Sequence, residues 1–416
     1  MKTFDWIIVG GGIAGISLSE ILTREGHSVA LIEKEEKLAS LTTKEFHEWV
    51  HTGSLYTLIR DEMKTLKYIL GSLDDLLEFY SSFPKMNLRA SENGLKIIDE
   101  EKGWFSSNYI HFKYRLKNRK IILPWMYAVA RSISLIDGIR KHDWLRRRAG
   151  ILQSVTADYY LPIIKNLFQV ILNNKKFLKV KTTDFTTNSR CLIKDMLATA
   201  VENGLEIFTK NKLLDIKNSN GYVVANCSNG TFQSKNMAVC VGAEIEKFSD
   251  IKIKKTYAPI AVVKNIDKNT DSFVELDYFR KKCINIVTKD NSFGLIGGIS
   301  LEKKSEIEKY FDFMINEHKK INPKIEILEK YVGTKNEISL KNENRNYLFH
   351  INPINKFNNV WSIIPGKFTL AFSLAPEFYR IVYKKNPRKF FKAHSDNGKH
   401  SHLVADTVWG DLLKKE

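Results

Sequence analysis

Cysteine is scarce in this chain. Cys191, Cys227, Cys240 and Cys283 are the only ones among 416 residues, and no two stand at metal-ligand spacing. A disulfide scaffold and a zinc site are therefore not expected, and the scatter of these thiols suits a reducing compartment. No apolar run approaches the ~20 residues that cross a bilayer, and no secretory leader precedes the first apolar stretch, so the expected location is cytoplasmic. Zinc-finger spacing and RNP-like motifs are absent too, which leaves charge alone as an argument for nucleic acid and excludes it as a partner. Acidic residues are also few beside basic ones, 47 against 65, for a net charge of +18.

The excess lysine and arginine gathers in residues 131–150, 165–181 and 379–394, each interleaved with aliphatic or aromatic residues. Two readings follow: a solvated basic surface, or a peripheral contact with the anionic inner face of a membrane. The length exceeds what a single core usually supports, so two intimately packed domains are expected.

What is present begins almost at the first residue, with DWIIVGGGIAGISLSEILTREGHSVALIEKE at 5–35. Trp6-Ile7-Ile8-Val9 suits a strand buried on both faces. Gly10, Gly12 and Gly15 fit G-x-G-x-x-G, with Ile13 and Ala14 between the last two. The first glycine allows the tight turn, the second lets backbone approach a pyrophosphate, and the third lets the next helix pack closely. Ile13, Ile16, Leu18, Ile21 and Leu22 recur at helical spacing, so a helix starts here with its N–H-rich end toward the phosphates. Ser28 to Ile32 reads as a second strand. Glu33 and Lys34 close it, where an acid accepts hydrogen bonds from ribose hydroxyls. Strand, glycines, helix, strand and acid in this order predict a dinucleotide site, without saying which dinucleotide.

Farther on, Asp184, Ser189-Arg190 and Leu192 open an amphipathic helix that ends at Gly204. Residues 205–244 read as a strand meander with turns at Asn220-Gly221 and Asn229-Gly230.

From Thr42 and Thr43 through Trp49-Val50-His51-Thr52-Gly53-Ser54-Leu55, the chain resembles the D-amino-acid-oxidase-like superfamily of FAD enzymes. Within it the nearest likeness is to FAD-dependent glycerol-3-phosphate dehydrogenases, which carry valine-histidine-glycine-glycine-leucine here. His51 and Gly53 match, whereas Thr52 replaces the first glycine. The resemblance recurs in Pro124-Trp125-Met126, Leu135-Ile136-Asp137, the MAVCVGA run ending near Gly242, and NSFGLIGGIS at 291–300. Gly366, Lys367 and Thr369 match a glycine-glycine-lysine-leucine-threonine segment, with Pro365 for one glycine and Phe368 for leucine. Tyr331 to Lys335 resembles a tyrosine-x-glycine-x-arginine run whose arginine holds a substrate phosphate. Arg345 stands where the family has the arginine of a serine-arginine-aspartate motif.

The resemblance implies an α/β protein. A discontinuous Rossmann-like FAD-binding domain (1–90, 180–250, 345–385) joins a substrate domain on a mixed or antiparallel sheet carrying helices (91–179, 251–344), and a basic tail covers 386–416. It implies FAD held by Gly10, Gly12, Ile13, Ala14, Gly15, Glu33, Lys34, Thr42, Thr43, His51, Gly53, Gly242, Gly366, Lys367, Phe368 and Thr369. Backbone N–H groups from Gly366 to Thr369 would face the negative edge of the reduced ring. His51 is the candidate base for a substrate hydroxyl, with a structural role or covalent flavin attachment as alternatives. Lys335, Arg345 and Lys367 would hold an anionic substrate, Lys335 as a point charge in place of a bidentate fork. The expected reaction is dehydrogenation of a CH–OH carbon in a small anionic molecule, with quinone, O₂ or another acceptor taking the electrons. Oxidation of a CH–NH carbon, and a flavin-binding subunit without turnover, remain open.

Overall fold

The computed structural model describes residues 2–51, 64–91, 94–98, 103–110, 113–116, 124, 127, 178–181, 184–267, 270–277, 282–289, 292–338 and 350–414. Its central ladder is parallel. Strand Thr3–Val9 lies between Val29–Ile32 and Gly230–Val239, with Val9 opposite Ile32 on one side and Val239 on the other. Trp6, Ile7 and Ile8 are fully buried because both faces of the ladder are covered. Trp6 and Ile8 point into one core with Ile16 and Leu18 of the first helix (Ile13–Arg24), while Ile7 and Val9 point into another with Ile216, Val223 and Ala225.

The long strand Gly230–Val239 is shared. Its first half pairs antiparallel with Tyr222–Cys227, which hairpins to Leu213–Ser219. Its last three residues, Met237 to Val239, pair in parallel with Val360–Ile364. The turn at Asn220-Gly221 has positive φ at both residues (50° and 80°), as a tight two-residue hairpin demands. The expected meander is thus present from Leu213 onward, but Glu206–Phe208 belongs elsewhere: it pairs in parallel with Val29–Ile32 at the opposite edge. Propensity marks a strand there without naming its neighbour.

Helix Ser189–Glu202 begins where the Asn188 side chain accepts the Cys191 N–H at 3.0 Å, and the chain turns away at Gly204, whose φ is 94°.

The second sheet runs in the order Glu326–Ile338, Ile253–Lys264, Gly294–Gly298, Lys282–Thr288, Phe273–Asp277, Lys113–Leu116, Leu178–Lys181. All its pairings are antiparallel except that between Phe273–Asp277 and Lys113–Leu116. Alternation assigns its faces. Ala261, Val263, Ile284, Ile286 and Ile296 pack with Phe311 and Met314 of helix Ile307–Ile321. Ile260, Val262, Val287 and Leu295 face the other way and join the core of the dinucleotide domain. This sheet therefore forms a roof over one side of the parallel ladder. Among the described residues, no helix is long and apolar enough to cross a membrane.

After the last long helix (Ala371–Tyr383) the chain wraps the dinucleotide domain as a strap. Asp396 N donates to Asp195 Oδ1 (2.8 Å), and residues 403–405 exchange backbone bonds with Leu38 (2.8 and 2.9 Å). The basic stretch 379–394 is partly neutralised by acids of the protein itself: Arg380 pairs with Asp75 and Glu377, Arg388 with Glu25, and Lys389 with Glu78. The stretch 131–150 and residues 165–177 lie outside the described residues.

Beneath the strap, Arg24 is buried against Glu20 (Nη2 to Oε2, 2.5 Å), donates to the carbonyls of Phe79 and Arg388, and lies 3.7 Å from the centre of the Phe391 ring. Glu20→Ala would leave this guanidinium buried without its carboxylate. The expected loss is about 3–5 kcal/mol, read as a lower urea midpoint; an unchanged midpoint would deny the pair its role under the strap.

Candidate functional site

Parallel strands deliver their C-terminal ends to one edge, and ligands of such sheets bind there. Val9, Val239 and Ser362 lie in register on adjacent strands, so the segments that follow them emerge side by side. These are residues 10–15, 240–242 and 365–369. At strand spacing of ~4.8 Å, the first and last are about 10 Å apart at the sheet edge.

The glycine turn is shaped for close approach. Gly10 has φ 104°, and a Cβ there would collide with the carbonyl of Cys240; a Cβ at Gly15 would overlap the carbonyl oxygen of Gly10. The first helix starts at Gly12 without a capping side chain and without an acid in its first turn. Its N-terminal N–H groups are left for an anion, apart from that of Ile13, which donates to Thr43 Oγ1 at 3.2 Å. The Glu33 carboxylate accepts the N–H groups of Gly11 (2.5 Å) and Glu35 (2.9 Å), holding the turn while retaining acceptor capacity for ribose hydroxyls. Lys34 is ion-paired with Glu244 at 2.5 Å. These features fit the adenosine and pyrophosphate of FAD.

The other end of the site is built by residues 365–369. Gly366 takes φ 68°, Lys367 N donates to Pro365 O at 2.7 Å, and the turn leads into helix Ala371–Tyr383, with Phe368 edge-on to Phe372. Thr369 is buried; its Oγ1 accepts the N–H of His51 (3.0 Å), and its carbonyl accepts Ser72 Oγ (2.6 Å). Lys367 and His51 are thereby brought together. The short strand Trp49–Val50 holds His51 from the other side by pairing with Phe185–Thr187.

The roof contributes the remaining wall. Tyr331, Gly333 and Lys335 share the face of Ile260, which looks toward the dinucleotide domain; Gly297 and Asn285 lie in the same cross-strand row. His47 fits into this row because Gly297 has no side chain, and a Cβ there would overlap its Nε2. Lys335 Nζ donates to Ser300 Oγ (2.8 Å) and lies 5.5 Å from the centre of the Phe46 ring. The OH of Tyr331, Oδ1 of Asn285 and Nε2 of His47 are buried without a partner among the described residues. Such orphaned polar atoms call for a polar ligand.

Electrostatics keep both histidines neutral at physiological pH. Burial is the main cause; Lys335 and Lys289 beside His47 add to it, and His47 is held down to about 3. His51 is lowered by burial, raised in part by Asp184, and lowered again by Lys367 and Lys335. Lys289 itself is committed to Glu48 at 2.5 Å, and that carboxylate also accepts the N–H of Ser189 at 2.9 Å.

Of the residues read from sequence, Gly10, Gly12, Ile13, Ala14, Gly15, Glu33 and Thr43 meet at one end, and Gly366, Lys367, Phe368, Thr369, His51 and Lys335 at the other. Gly242 lies between them, next to Asn336. Thr42 starts the short helix Thr42–Glu45 beside Thr43. Gly53 and Arg345 lie outside the described residues. Asp184, His47 and Asn285 were not expected as site residues. Strand alternation in CINIV could have put Asn285 opposite the helix-facing isoleucines, but which face meets the site is decided by packing. Gly15→Ala should overpack the turn at a cost of about 1–3 kcal/mol, expected as roughly tenfold weaker retention of FAD on dialysis; full retention would refute the close approach.

The sequence profile of the FAD dependent oxidoreductase family (DAO) matches residues 5–334. No curated protein sequence matches the chain significantly. Solved structures of similar fold include L-α-glycerophosphate oxidase of Mycoplasma pneumoniae with FAD bound, at 16% identity and TM-score 0.62, covering 98% of this chain and 100% of that one. L-Proline dehydrogenase of P. horikoshii is 12% identical, covers 93% and 95%, and has TM-score 0.60. Glycine oxidase of Geobacillus kaustophilus is 10% identical, covers 97% and 98%, and has TM-score 0.62. At these identities the likeness is one of fold. The family profile spans most of the chain, and the protein belongs to the DAO family of FAD-dependent oxidoreductases.

Proposed function

We propose that the protein dehydrogenates a CH–OH carbon of a small anionic substrate bound between the roof sheet and the segment 365–369. Bound FAD supplies the hydride acceptor; the chain's own residues bind, orient and deprotonate. The observation that carries this reading is the position of His51. It is a half-buried neutral imidazole fixed through Thr369 to the turn of Lys367, with Lys335 near enough to depress its proton affinity. A neutral imidazole in that place can take a hydroxyl proton. Lys335 and Lys367 offer the charge for a carboxylate or phosphate, and Tyr331, Asn285 and His47 offer hydrogen-bonding atoms that lack partners among the described residues. Burial strengthens each of these contacts relative to water.

Oxidation of a CH–NH carbon is the second reading, favoured by the fold shared with L-proline dehydrogenase and glycine oxidase. Anaerobic bleaching of the flavin by a panel of hydroxy acids, polyol phosphates and amino acids separates the two. Bleaching by a hydroxy compound is expected, and bleaching by amino acids alone would reverse the assignment. With the compound that bleaches, His51→Asn should slow reduction by about 10²-fold while FAD stays bound. Lys335→Ala should weaken substrate binding by roughly ten- to a hundredfold, the loss of one charged hydrogen bond. Reoxidation by O₂ against a soluble quinone then identifies the acceptor class.

A further inference from the structure

We infer that Asp184 is the positioning residue for His51, holding the imidazole with its proton on Nδ1 so that Nε2 is the basic nitrogen; this rests on the reading of His51 as base. The juxtaposition comes from strand register. Trp49 pairs with Thr186 and Val50 with Phe185, so the next cross-strand pair is His51 opposite Asp184. Side chains two apart share a face, which puts Trp49, His51 and Asp184 together. Asp184 is fully buried. Its Oδ2 accepts the indole N–H of Trp49 at 3.2 Å and lies 3.7 Å from Nδ1 of His51. The Trp49 ring covers the imidazole, centroid to centroid 4.1 Å, and the main-chain N–H of His51 is held by Thr369. Ring plane and backbone are thus both fixed, and the nitrogen facing the carboxylate is Nδ1.

Charge makes the arrangement consequential. Among the described residues, the charged and titratable groups facing His51 include Asp184 from the paired strand, Lys367 from the turn before the last long helix, Lys335 from the roof and neutral His47 from its own segment. When the substrate O–H bond breaks and its proton moves to Nε2, an imidazolium forms in a half-buried place beside two lysines. Asp184 is the anion in that set, 3.7 Å from Nδ1, and its negative charge offsets the positive charge that the imidazolium gains. Without it, proton uptake at His51 is opposed by burial and by both lysines.

The test is histidine side-chain NMR on FAD-loaded, ¹⁵N-histidine-labelled protein, with His51 assigned by the signals lost in His51→Asn. In the wild type the Nδ1–H tautomer is expected at pH 7, and an Nε2–H tautomer would overturn the inference with no further variant needed. Asp184→Asn keeps an acceptor for Trp49 and removes the charge. It should lose the Nδ1–H preference, protonate His51 only at lower pH, and bleach about 10²-fold more slowly with the compound that bleaches the wild type. Unchanged tautomer and titration in that variant, with FAD absorbance and circular dichroism intact, would also overturn it. His51→Asn bleaching at the wild-type rate would instead sink the base assignment, a result separate from the tautomer.

Discussion

Three parallel strands held in register organise this protein. Thr3–Val9, Gly230–Val239 and Val360–Ile364 come from the beginning, middle and end of the chain, yet their hydrogen bonds align Val9, Val239 and Ser362 at one edge. Each strand then releases a loop into the same space. The glycine turn, the segment at Gly242 and the turn of Lys367 need this ladder to meet at all. Buried aliphatic residues line both of its faces and hold the loops it carries to one edge.

Chemistry enters through what is laid against that edge. A roof sheet whose helix-facing residues are apolar presents Tyr331, Asn285 and Lys335 on the opposite face, so a single alternation builds both a core and a polar wall. Between wall and edge, histidines and lysines stand together half-buried. Burial keeps the histidines uncharged, and the lysines reinforce this. Neutral imidazoles beside Lys335 and Lys367 suit the proposed anion that must give up a proton. The pair of Glu48 and Lys289 ties the segment before His51 to the roof, and Ser189 ties it to the helix of the dinucleotide domain. The two domains therefore share the residues that hold the proposed base.

Several parts were readable one residue at a time. Trp6 to Val9 had to be a buried strand, Gly10 to Gly15 a phosphate turn, and Asn220-Gly221 a hairpin, because each follows from local sterics or periodicity. Glu206–Phe208 was legible as a strand but not as the partner of Val29–Ile32, since pairing is a long-range choice. His47 was not marked as a site residue by the sequence, because its place against Gly297 and Asn285 depends on how the roof docks. Asp184 was visible only as a residue ahead of a helix, and its position across from His51 exists only once two strands from distant parts of the chain are in register.

The sequence alone marked a strand, glycine turn and helix of dinucleotide-binding type near the first residues, in a basic, cysteine-poor chain. Both follow from short-range rules: turn stereochemistry, helix and strand periodicity, composition. Tertiary structure alone decided which side chains face one another across the site, because facing depends on register and docking between segments more than a hundred residues apart. The pairing of Asp184 with His51, and the seating of His47 on Gly297, belong to that second kind.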